Sequence, residues 1–384
     1  MSARRRRSNI SEERFEAAPL DGPLLEVVDL KTAFRTPRGT ARAVDGVSFS
    51  LERGRTLGVV GESGSGKTVL SRSIMGLLPK KNVERSGTAM FEGHDLVTAS
   101  DDELRGLWGA QLAMVFQDPM TSLNPVMKIG NQLTEMLRQH LDITKDYSKE
   151  LALALLQSVG IPEAERRLKE YPHQMSGGMR QRVVIAVAIA CGPKLLFADE
   201  PTTALDVTVQ AQILDLLQDL QREFNSAVII ITHDLGVVSE VADTTMVMYA
   251  GRAVEYGSTR EILTHPEMPY TWGLLGSIPE VAGDADVRLI PIPGNPPSLL
   301  NPPEGCSFHP RCPHIDKVPG DLCRTTLPDL LPGDRGENHV KRCHLANPGE
   351  IYTEEVLPEI APDLIDPETG GMIAEIADVD PDKV

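Results

Sequence analysis

The chain has 384 residues, of which 41% are hydrophobic, and this is enough apolar material for one large domain and a smaller one. Its formal net charge of −17 argues against a nucleic-acid partner, because nucleic-acid-binding proteins usually present a basic surface. No stretch approaches the roughly 18 unbroken apolar residues that span a bilayer, and the N-terminus lacks the apolar core of a secretion signal. We therefore expect a cytoplasmic chain that meets a membrane only through partner subunits.

The first part of the chain predicts an N-terminal arm followed by strands. Residues 1–22 are expected to form a disordered arm. Short runs bounded by turn signals predict strands at 24–30, 43–51 and 56–60, and the last run is apolar on both faces, as in a buried central strand. A Gly-rich loop then leads into a predicted helix at 68–78.

The middle of the chain alternates helical and strand-like segments. Residues 125–170 have mostly helical spacing, with a break at Gly160-Ile-Pro162. Further helices and strands are predicted at 183–190, 194–198, 209–224, 228–232 and 246–249. Alternation of this kind around a Gly-rich loop predicts an α/β domain with a largely parallel sheet.

The C-terminal third has a different composition. Prolines cluster within residues 291–297, regular periodicity fades, and four cysteines follow, so we expect a domain boundary near residues 258–270. Residues 350–384 contain eleven acidic residues and one lysine, which is typical of a solvated tail.

One loop has the residues needed to hold phosphates. The segment Gly61-Glu-Ser-Gly-Ser-Gly-Lys-Thr68 fits G-x-x-x-x-G-K-[ST] between a buried strand and a helix. Its glycines allow backbone N–H groups to cradle phosphate oxygens, and the helix N-terminus adds the positive end of its dipole. Lys67 is expected on the β- and γ-phosphates, and the Thr68 hydroxyl on Mg²⁺. The candidate ATP-binding residues of this loop are Gly61, Ser63, Gly64, Ser65, Gly66, Lys67 and Thr68.

An apolar strand ending in two acids provides candidate groups for hydrolysis. In Leu195-Leu-Phe-Ala-Asp-Glu200, Asp199 is placed to hold Mg²⁺ through water. Glu200 is placed to orient and deprotonate the attacking water. The phosphate loop and the acidic strand together predict a nucleotide hydrolase.

The segment Ser176-Gly-Gly-Met-Arg-Gln181 narrows the class, because it resembles the S-G-G-x-x-Q core of the ABC signature and lies just before the acidic strand. Gly177 and Gly178 allow close backbone approach, and Ser176 can donate to a γ-phosphate at a helix N-terminus. A helix N-cap is the other interpretation of Ser176, and both can hold. The resemblance implies that Ser176, Gly177, Gly178 and Gln181 close over nucleotide held by a second ATPase subunit.

Other positions match further marks of the ABC family in order. Gln117 resembles the Gln loop, which contacts Mg²⁺ or water and senses the transmembrane partner. Asp206, in Ala204-Leu-Asp206, resembles the D-loop at the dimer seam. His233 resembles the switch histidine that contacts the γ-phosphate, and Phe34 stands where the family places an aromatic ring on adenine.

The resemblance covers roughly residues 24–345 and is closest to the ATPases of bacterial oligopeptide and dipeptide permeases, on the motifs within 116–125, 171–182 and 198–210. It implies an α/β fold, namely a P-loop ABC ATPase with a mixed core sheet, an antiparallel β subdomain and a helical subdomain, plus a small irregular Cys-rich C-terminal domain. The expected division is an arm at 1–22, the ABC ATPase domain at 23–260 with its helical subdomain at about 120–180, the Cys-rich extension at 261–345 and an acidic tail at 346–384.

The function implied by the resemblance is ATP hydrolysis that drives import of oligopeptides or dipeptides, at the cytoplasmic face of the cell membrane. The implied partners are a second, related ATPase subunit, two transmembrane permease subunits and, indirectly, an extracytoplasmic substrate-binding protein. Two alternatives stay open. One is an importer of nickel or another small solute, and the other is a soluble ABC ATPase of DNA repair or translation.

Four of the five cysteines fall in a Pro-rich segment with little core of its own: Cys306, Cys312, Cys323 and Cys343. A metal held by four thiolates would supply folding energy there. Because the tight C-x₂₋₄-C pairs of structural zinc are missing, the spacing favours a [4Fe–4S] cluster over Zn²⁺, with unligated cysteines as the third interpretation. Nearby histidines can replace a thiolate: His309, His314, His339 and His344. Cys191 stands apart and is expected in the core.

Overall fold

A computed structural model describes residues 22–203, 205–277, 291–334 and 336–361. The described residues form two compact units that alternate along the chain. Unit 1 takes its residues from Met1–Thr32, Val47–Leu57 and Thr68–Thr232, and unit 2 takes its residues from Ala33–Gly46, Gly58–Lys67 and His233–Val384. The linear domain division expected from the sequence stays a prediction, and the arm expected at residues 1–22 lies, except for Gly22, outside the described residues.

The strands and helices of the described residues are as follows. The strands are β1 Leu25–Thr36, β2 Gly39–Leu51, β3 Thr56–Val60, β4 Val83–Phe91, β5 His94–Asp95, β6 Leu112–Val115, β7 Leu195–Asp199, β8 Ala227–Ile231, β9 Thr244–Tyr249, β10 Arg252–Ser258, β11 Leu331–Gly333 and β12 Gly336–Lys341. The α-helices are α1 Lys67–Ile74, α2 Asp101–Leu107, α3 Pro119–Ser122, α4 Ile129–His140, α5 Lys145–Ser158, α6 Ala164–Arg167, α7 Gly177–Ile189, α8 Val207–Phe224, α9 Leu235–Val241, α10 Thr259–Thr264, α11 Pro269–Leu275, α12 Leu322–Thr325, α13 Pro348–Ile351 and α14 Leu357–Ile360. Short 3₁₀ turns and one π-turn, Tyr352–Val356, complete the described elements.

Local pattern explains most of these bounds. The strand expected at 56–60 is β3, and all five of its residues are buried. The helix expected at 183–190 starts earlier, at Gly177, because the Ser176 hydroxyl accepts a hydrogen bond from the backbone N–H of Met179 and caps it.

The longest described helix is α8, with 18 residues, and no helix among the described residues is both long and apolar enough to cross a bilayer.

In unit 1, three buried strands pair in parallel. Strand β7 lies between β6 and β8 and pairs in parallel with both, with Leu195 opposite Leu112 on one side and Ala227 on the other. Every residue of these three strands is buried, as expected for parallel strands covered on both faces. A small antiparallel sheet includes the β4–β5 pair. The carboxyl end of β7 is where Asp199 and Glu200 lie.

In unit 2, three strand pairs are antiparallel. Strands β9 and β10 form a pair with a register shift between Ala253 and Glu255, β10 also pairs with β12, and β12 pairs with β11. The C-terminal extension therefore adds strands to β10, and its Phe308 packs with Tyr249 in one shared core. The expected separate, irregular Cys-rich domain is not confirmed, because its apolar side chains find their partners in the rest of unit 2.

The prediction of a solvated acidic tail from residue 346 onward is wrong for residues 346–361, the part that the structure describes. Residues 348–360 are helical, and Tyr352, Leu357 and Ile360 are buried in the core of unit 2. Acidic residues dominate the composition of this segment, which therefore indicated a solvated tail. Its apolar residues nevertheless recur at helical spacing and share one face. The rest of the expected tail, from residue 362, lies outside the described residues.

Candidate functional site

The phosphate loop of unit 2 follows directly after β3 and depends on glycine at two positions. Gly61 and Gly66 have φ values of +145° and +106°. A Cβ on Gly61 would lie 2.2 Å from the carbonyl oxygen of Met248, and a Cβ on Gly66 would lie 2.2 Å from that of Ala43. Other residues would therefore push the loop away from its neighbours, and the glycines keep the turn that aims backbone N–H groups inward.

The lysine of this loop is buried and folded against the loop's own carbonyl groups. The Lys67 ammonium donates to the carbonyl oxygens of Gly61 at 2.6 Å and of Glu62 at 3.0 Å. The hydroxyl of Ser65 is buried without a hydrogen-bond partner in the structure. A buried polar atom of this kind fits a ligand that brings its own acceptors, and phosphate oxygens do so. The Lys67 ammonium and the Ser65 hydroxyl are therefore the loop's candidate groups for an anionic ligand.

Unit 1 contains the acidic candidate residues, and it brings four of the expected residues into two pairs. The Thr68 hydroxyl donates to the buried Asp199 carboxylate at 2.9 Å, which gives oxygen donors suited to Mg²⁺. The Gln117 amide donates to Glu200 at 2.9 Å. Sequence motifs thus predicted groups that the fold places within hydrogen-bonding distance.

Glu200 has an unusual backbone and one partner that the sequence did not indicate. Its φ is +48°, a left-handed conformation that is uncommon for glutamate and is often found at functional sites. Its backbone N–H donates to the carbonyl of Ile231 at 2.7 Å. The Thr203 hydroxyl donates to the Glu200 carboxylate at 2.8 Å. No motif marked Thr203, since a threonine three residues after an acid is common in turns.

The signature forms the N-terminus of α7. Ser176 is its N-cap, Gly177 is its first residue, and a Cβ on Gly178 would lie 2.9 Å from a methyl group of Val209. Gln181 is buried. The alternative interpretation of Ser176 as a cap is therefore confirmed, and its contact with nucleotide stays a prediction.

The three remaining candidate site residues lie at or near the ends of helices and strands. Asp206 is exposed and accepts the Val209 N–H as the cap of α8, while Ala204, the first residue of the expected D-loop, lies outside the described residues. His233 belongs to unit 2, comes two residues after the end of β8 and is exposed. Phe34 lies near the end of β1 and is half-buried. An exposed imidazole and a half-buried ring suit contacts with a nucleotide, and these contacts stay predictions.

The four C-terminal cysteines lie in or against the core of unit 2, and none forms a disulfide. The backbone N–H of Cys306 donates to the carbonyl of Cys323 at 2.9 Å. Burial raises the pKa of the Cys312 and Cys343 thiols to about 12, and the neighbouring thiols add to both increases. Within the described residues, no group of three or more His, Cys, Asp or Glu side chains is arranged to hold a metal ion.

The histidines considered as replacement ligands have other neighbours. The His309 ring bonds the carbonyl of Cys306, and the His344 ring bonds the carbonyl of Thr326. The His314 ring packs edge-on against Trp272, and His339 bonds the carboxylate of Glu255. These contacts do not support a histidine ligand beside the thiols.

The parallel strands, the phosphate loop before α1 and the paired acids after β7 define a P-loop nucleotide hydrolase with an ABC-type signature. Residues 44–203 match the ABC transporter family, and residues 254–318 match the C-terminal region of the oligopeptide/dipeptide transporter family. The chain belongs to the ABC transporter family and is an ATPase.

Relatives with curated names cover most of the chain. It is 53% identical over 296 residues to the oligopeptide transport ATP-binding protein OppD of Bacillus subtilis (strain 168), with 77% of this chain and 83% of the relative aligned. It is 51% identical over 326 residues to the dipeptide transport ATP-binding protein DppD of the same organism, with 83% and 97% aligned. The fold is similar to that of the ATP-binding cassette MJ0796 in a dimeric post-hydrolysis state, with a TM-score of 0.56, 24% identity, and 61% of this chain and 98% of that chain covered.

Proposed function

We propose that this chain powers the import of oligopeptides or dipeptides across the cytoplasmic membrane by hydrolysing ATP. The observation that carries the proposal is identity above 50% to peptide-transport ATP-binding proteins, extending over most of their length. The match of residues 254–318 to the C-terminal region of peptide transporters supports the same substrate class, because general ATPase motifs do not reach that segment.

The proposed assembly contains two ATPase subunits and two transmembrane permease subunits, supplied with substrate by an extracytoplasmic binding protein. This chain lies at the cytoplasmic face as a peripheral subunit, and its ATPase partner is a related chain. The absence of a membrane-spanning helix from the described residues is compatible with that place. Substrate choice then belongs to the other subunits.

In the proposed reaction, water attacks the γ-phosphoryl group in line, the bond to the β-phosphate oxygen breaks, and ADP and phosphate leave. Lys67 and the loop N–H groups hold the β- and γ-phosphates, and Thr68 and Asp199 hold Mg²⁺. Glu200 accepts the proton of the attacking water, which Gln117 helps to orient. The short Gln117–Glu200 and Thr68–Asp199 contacts support this division of tasks.

The remaining proposed contacts complete the nucleotide site. His233 contacts the γ-phosphate, and Phe34 stacks on adenine. The signature residues act on nucleotide held by the partner ATPase, with Asp206 at the seam between the two subunits. The exposed N-terminus of α7, with its positive dipole end, supports an anionic contact there.

The proposal is tested by uptake of a labelled tetrapeptide in cells that lack their own peptide importers and express all subunits of this transporter. We expect uptake with the parent chain and background uptake with Glu200→Gln as the matched control. Excess unlabelled peptide should compete, and nickel should not. Nickel uptake without peptide uptake would instead support the alternative importer. If this chain did not co-purify with two membrane proteins, the transport assignment would fail.

We also propose that Cys306, Cys312, Cys323 and Cys343 ligate an iron–sulfur cluster. Four thiols in or against one apolar core provide the donor set that such clusters use, and burial raises their pKa values, so they are protonated when no metal is bound. A cluster would stabilise the extension by joining these distant positions. Because the described side chains are not arranged around a metal, binding requires the thiols to move closer together.

Anaerobic purification of the full chain distinguishes the three interpretations of these cysteines. A cluster predicts absorbance near 400 nm and about four iron atoms per chain, both lost in Cys343→Ala and kept in Cys191→Ala. Stoichiometric zinc without that absorbance would support the zinc alternative. If the purified chain contains neither iron nor zinc, the thiols are ordinary core residues.

A further inference from the structure

An ion pair connects the phosphate loop to the C-terminal extension, 249 residues away in the sequence. The Arg311 guanidinium donates to the two carboxylate oxygens of Glu62 at 2.6 and 3.0 Å. Glu62 is the first variable position of the loop motif, so the motif itself gave this residue no task. Two parallel hydrogen bonds fix both the distance and the orientation of the carboxylate.

Arg311 is held in place by its own surroundings. Only 4% of its side chain is exposed, and its Nε donates to the carbonyl of Pro293 at 2.7 Å. Its Nη atoms also reach the hydroxyl of Tyr249 and the carbonyl of Gly294, at 3.3 and 3.4 Å. The pKa of Arg311 is raised, above all by its hydrogen bonds to Glu62. A buried guanidinium with acceptors on several sides is a rigid anchor.

Glu62 is also fixed through its backbone. Its N–H donates to the hydroxyl of Tyr270 at 2.7 Å, and its carbonyl accepts from the Lys67 ammonium at 3.0 Å. The rings of Tyr270, Tyr249 and Phe308 pack on one another, with centroids 4.5 to 5.4 Å apart. One residue of the loop therefore contacts both the lysine that binds phosphate and the core of the extension.

An unpaired carboxylate here would work against nucleotide binding. Glu62 stands five positions before Lys67 in a loop that binds a highly charged anion, so an uncompensated negative charge would repel the phosphates. It would also attract the Lys67 ammonium. Arg311 cancels this charge and keeps the carboxylate turned toward the extension.

We propose that Arg311 is a positioning residue for ATP binding, because it holds and neutralises Glu62 so that the loop at 61–67 keeps its phosphate-binding shape. The extension then contributes to the affinity of the loop for ATP, in addition to packing in the core of unit 2. This task concerns nucleotide affinity and does not depend on which solute is transported.

The test measures the KM and kcat for ATP, with the melting temperature, in the assembled transporter carrying variants of the full chain. Arg311→Gln should raise KM about tenfold while kcat changes less than threefold, because a charge left near the phosphates weakens binding more than chemistry. Glu62→Gln should change KM by at most twofold. In the double variant, KM should return to within threefold of the parent value, because no carboxylate is left to compensate.

Two controls separate positioning from general stability. Arg342→Gln removes another guanidinium of the extension, one whose side-chain hydrogen bonds are to the carbonyls of Ala253 and Pro328, outside the loop. It should lower the melting temperature without changing KM. If Arg311→Gln does not fold, Arg311→Lys keeps the charge and loses the fork, and should raise KM about threefold, with the rise abolished by Glu62→Gln. An unchanged KM in the folded Arg311 variant, or equal KM increases with and without Glu62→Gln, would overturn the proposal.

Discussion

Two glutamates, one in each unit, differ in the side chains that bond them. Glu200, in unit 1, accepts hydrogen bonds from neutral donors, the amide of Gln117 and the hydroxyl of Thr203. Glu62, in unit 2, accepts from the charged guanidinium of Arg311. An amide or a hydroxyl donor orients a carboxylate, whereas a guanidinium also cancels its charge. The first arrangement suits a group that must take a proton, and the second suits a group that must not disturb an anion.

The largest effect is expected from removing the carboxylate charge of Glu200. Glu200→Gln retains the size and the acceptor oxygen of the side chain, so Gln117 and Thr203 can still bond it. It should lower kcat for ATP by about 10²–10⁴-fold, the usual contribution of a general base, and leave ATP affinity near that of the parent. Single-turnover hydrolysis and equilibrium ATP binding measure the two quantities separately. Normal turnover in this variant would remove Glu200 as the base.

A smaller effect is expected from removing one neutral donor. Thr203→Val keeps the shape of the side chain and deletes the hydroxyl that bonds Glu200, and a hydrogen bond to a charged group is worth about 1.5–3 kcal/mol. We expect kcat to fall roughly 10-fold, with KM for ATP little changed, because the base is less well oriented. Thr203→Ser is the matched control and should stay within threefold of the parent. A kcat in Thr203→Val equal to the parent value would mean that the contact does not orient the base.

The smallest effect concerns a third carboxylate, whose partner changes charge with pH. His339 and Glu255 are fully buried, and the ring bonds the carboxylate at 2.9 Å. Burial lowers the pKa of His339, but the hydrogen bond and charge of Glu255 and the charges of Glu267 and Glu261 outweigh it, so the pKa is raised. Because the pKa is higher in the folded chain than in the unfolded chain, the protonated ring stabilises the fold. This contribution is complete at pH values below the unfolded-state pKa, near 6.5, and is lost as pH rises through the folded-state pKa.

The free energy of unfolding of the full chain should therefore fall as pH rises from about 6.5, the pKa in the unfolded chain, through the higher pKa of His339 in the folded chain. His339→Gln should remove this slope while keeping a hydrogen bond to Glu255. An identical pH dependence in the variant would show that the imidazole carries no charge in the folded chain.

The sequence predicted those parts of the site that depend on neighbouring residues. The phosphate loop, β3 and the acidic end of β7 are local patterns of glycine, apolar and acidic positions, and the structure has them where the pattern indicated. The four residues of the contacts Thr68–Asp199 and Gln117–Glu200 were each marked by a sequence motif, whereas the two contacts themselves were not predicted.

The partners of Glu62 could not be predicted, because Arg311 and Tyr270 reach it only after unit 2 has folded. The helical turns after residue 347 were missed for a different reason. Their acidic composition suggested solvation, while burial depends on which face Tyr352 and Ile360 share. Composition averages over faces, and packing selects one.

ATP binding and hydrolysis by Lys67→Ala in the assembled transporter test the central claim most directly, namely that the loop at 61–67 holds the triphosphate. The buried ammonium is the cation that the loop presents to phosphates, so this variant should lose ATP binding by at least about 100-fold and show no hydrolysis above background, while the complex still assembles. Hydrolysis at the parent rate in a Lys67→Ala complex would contradict the account.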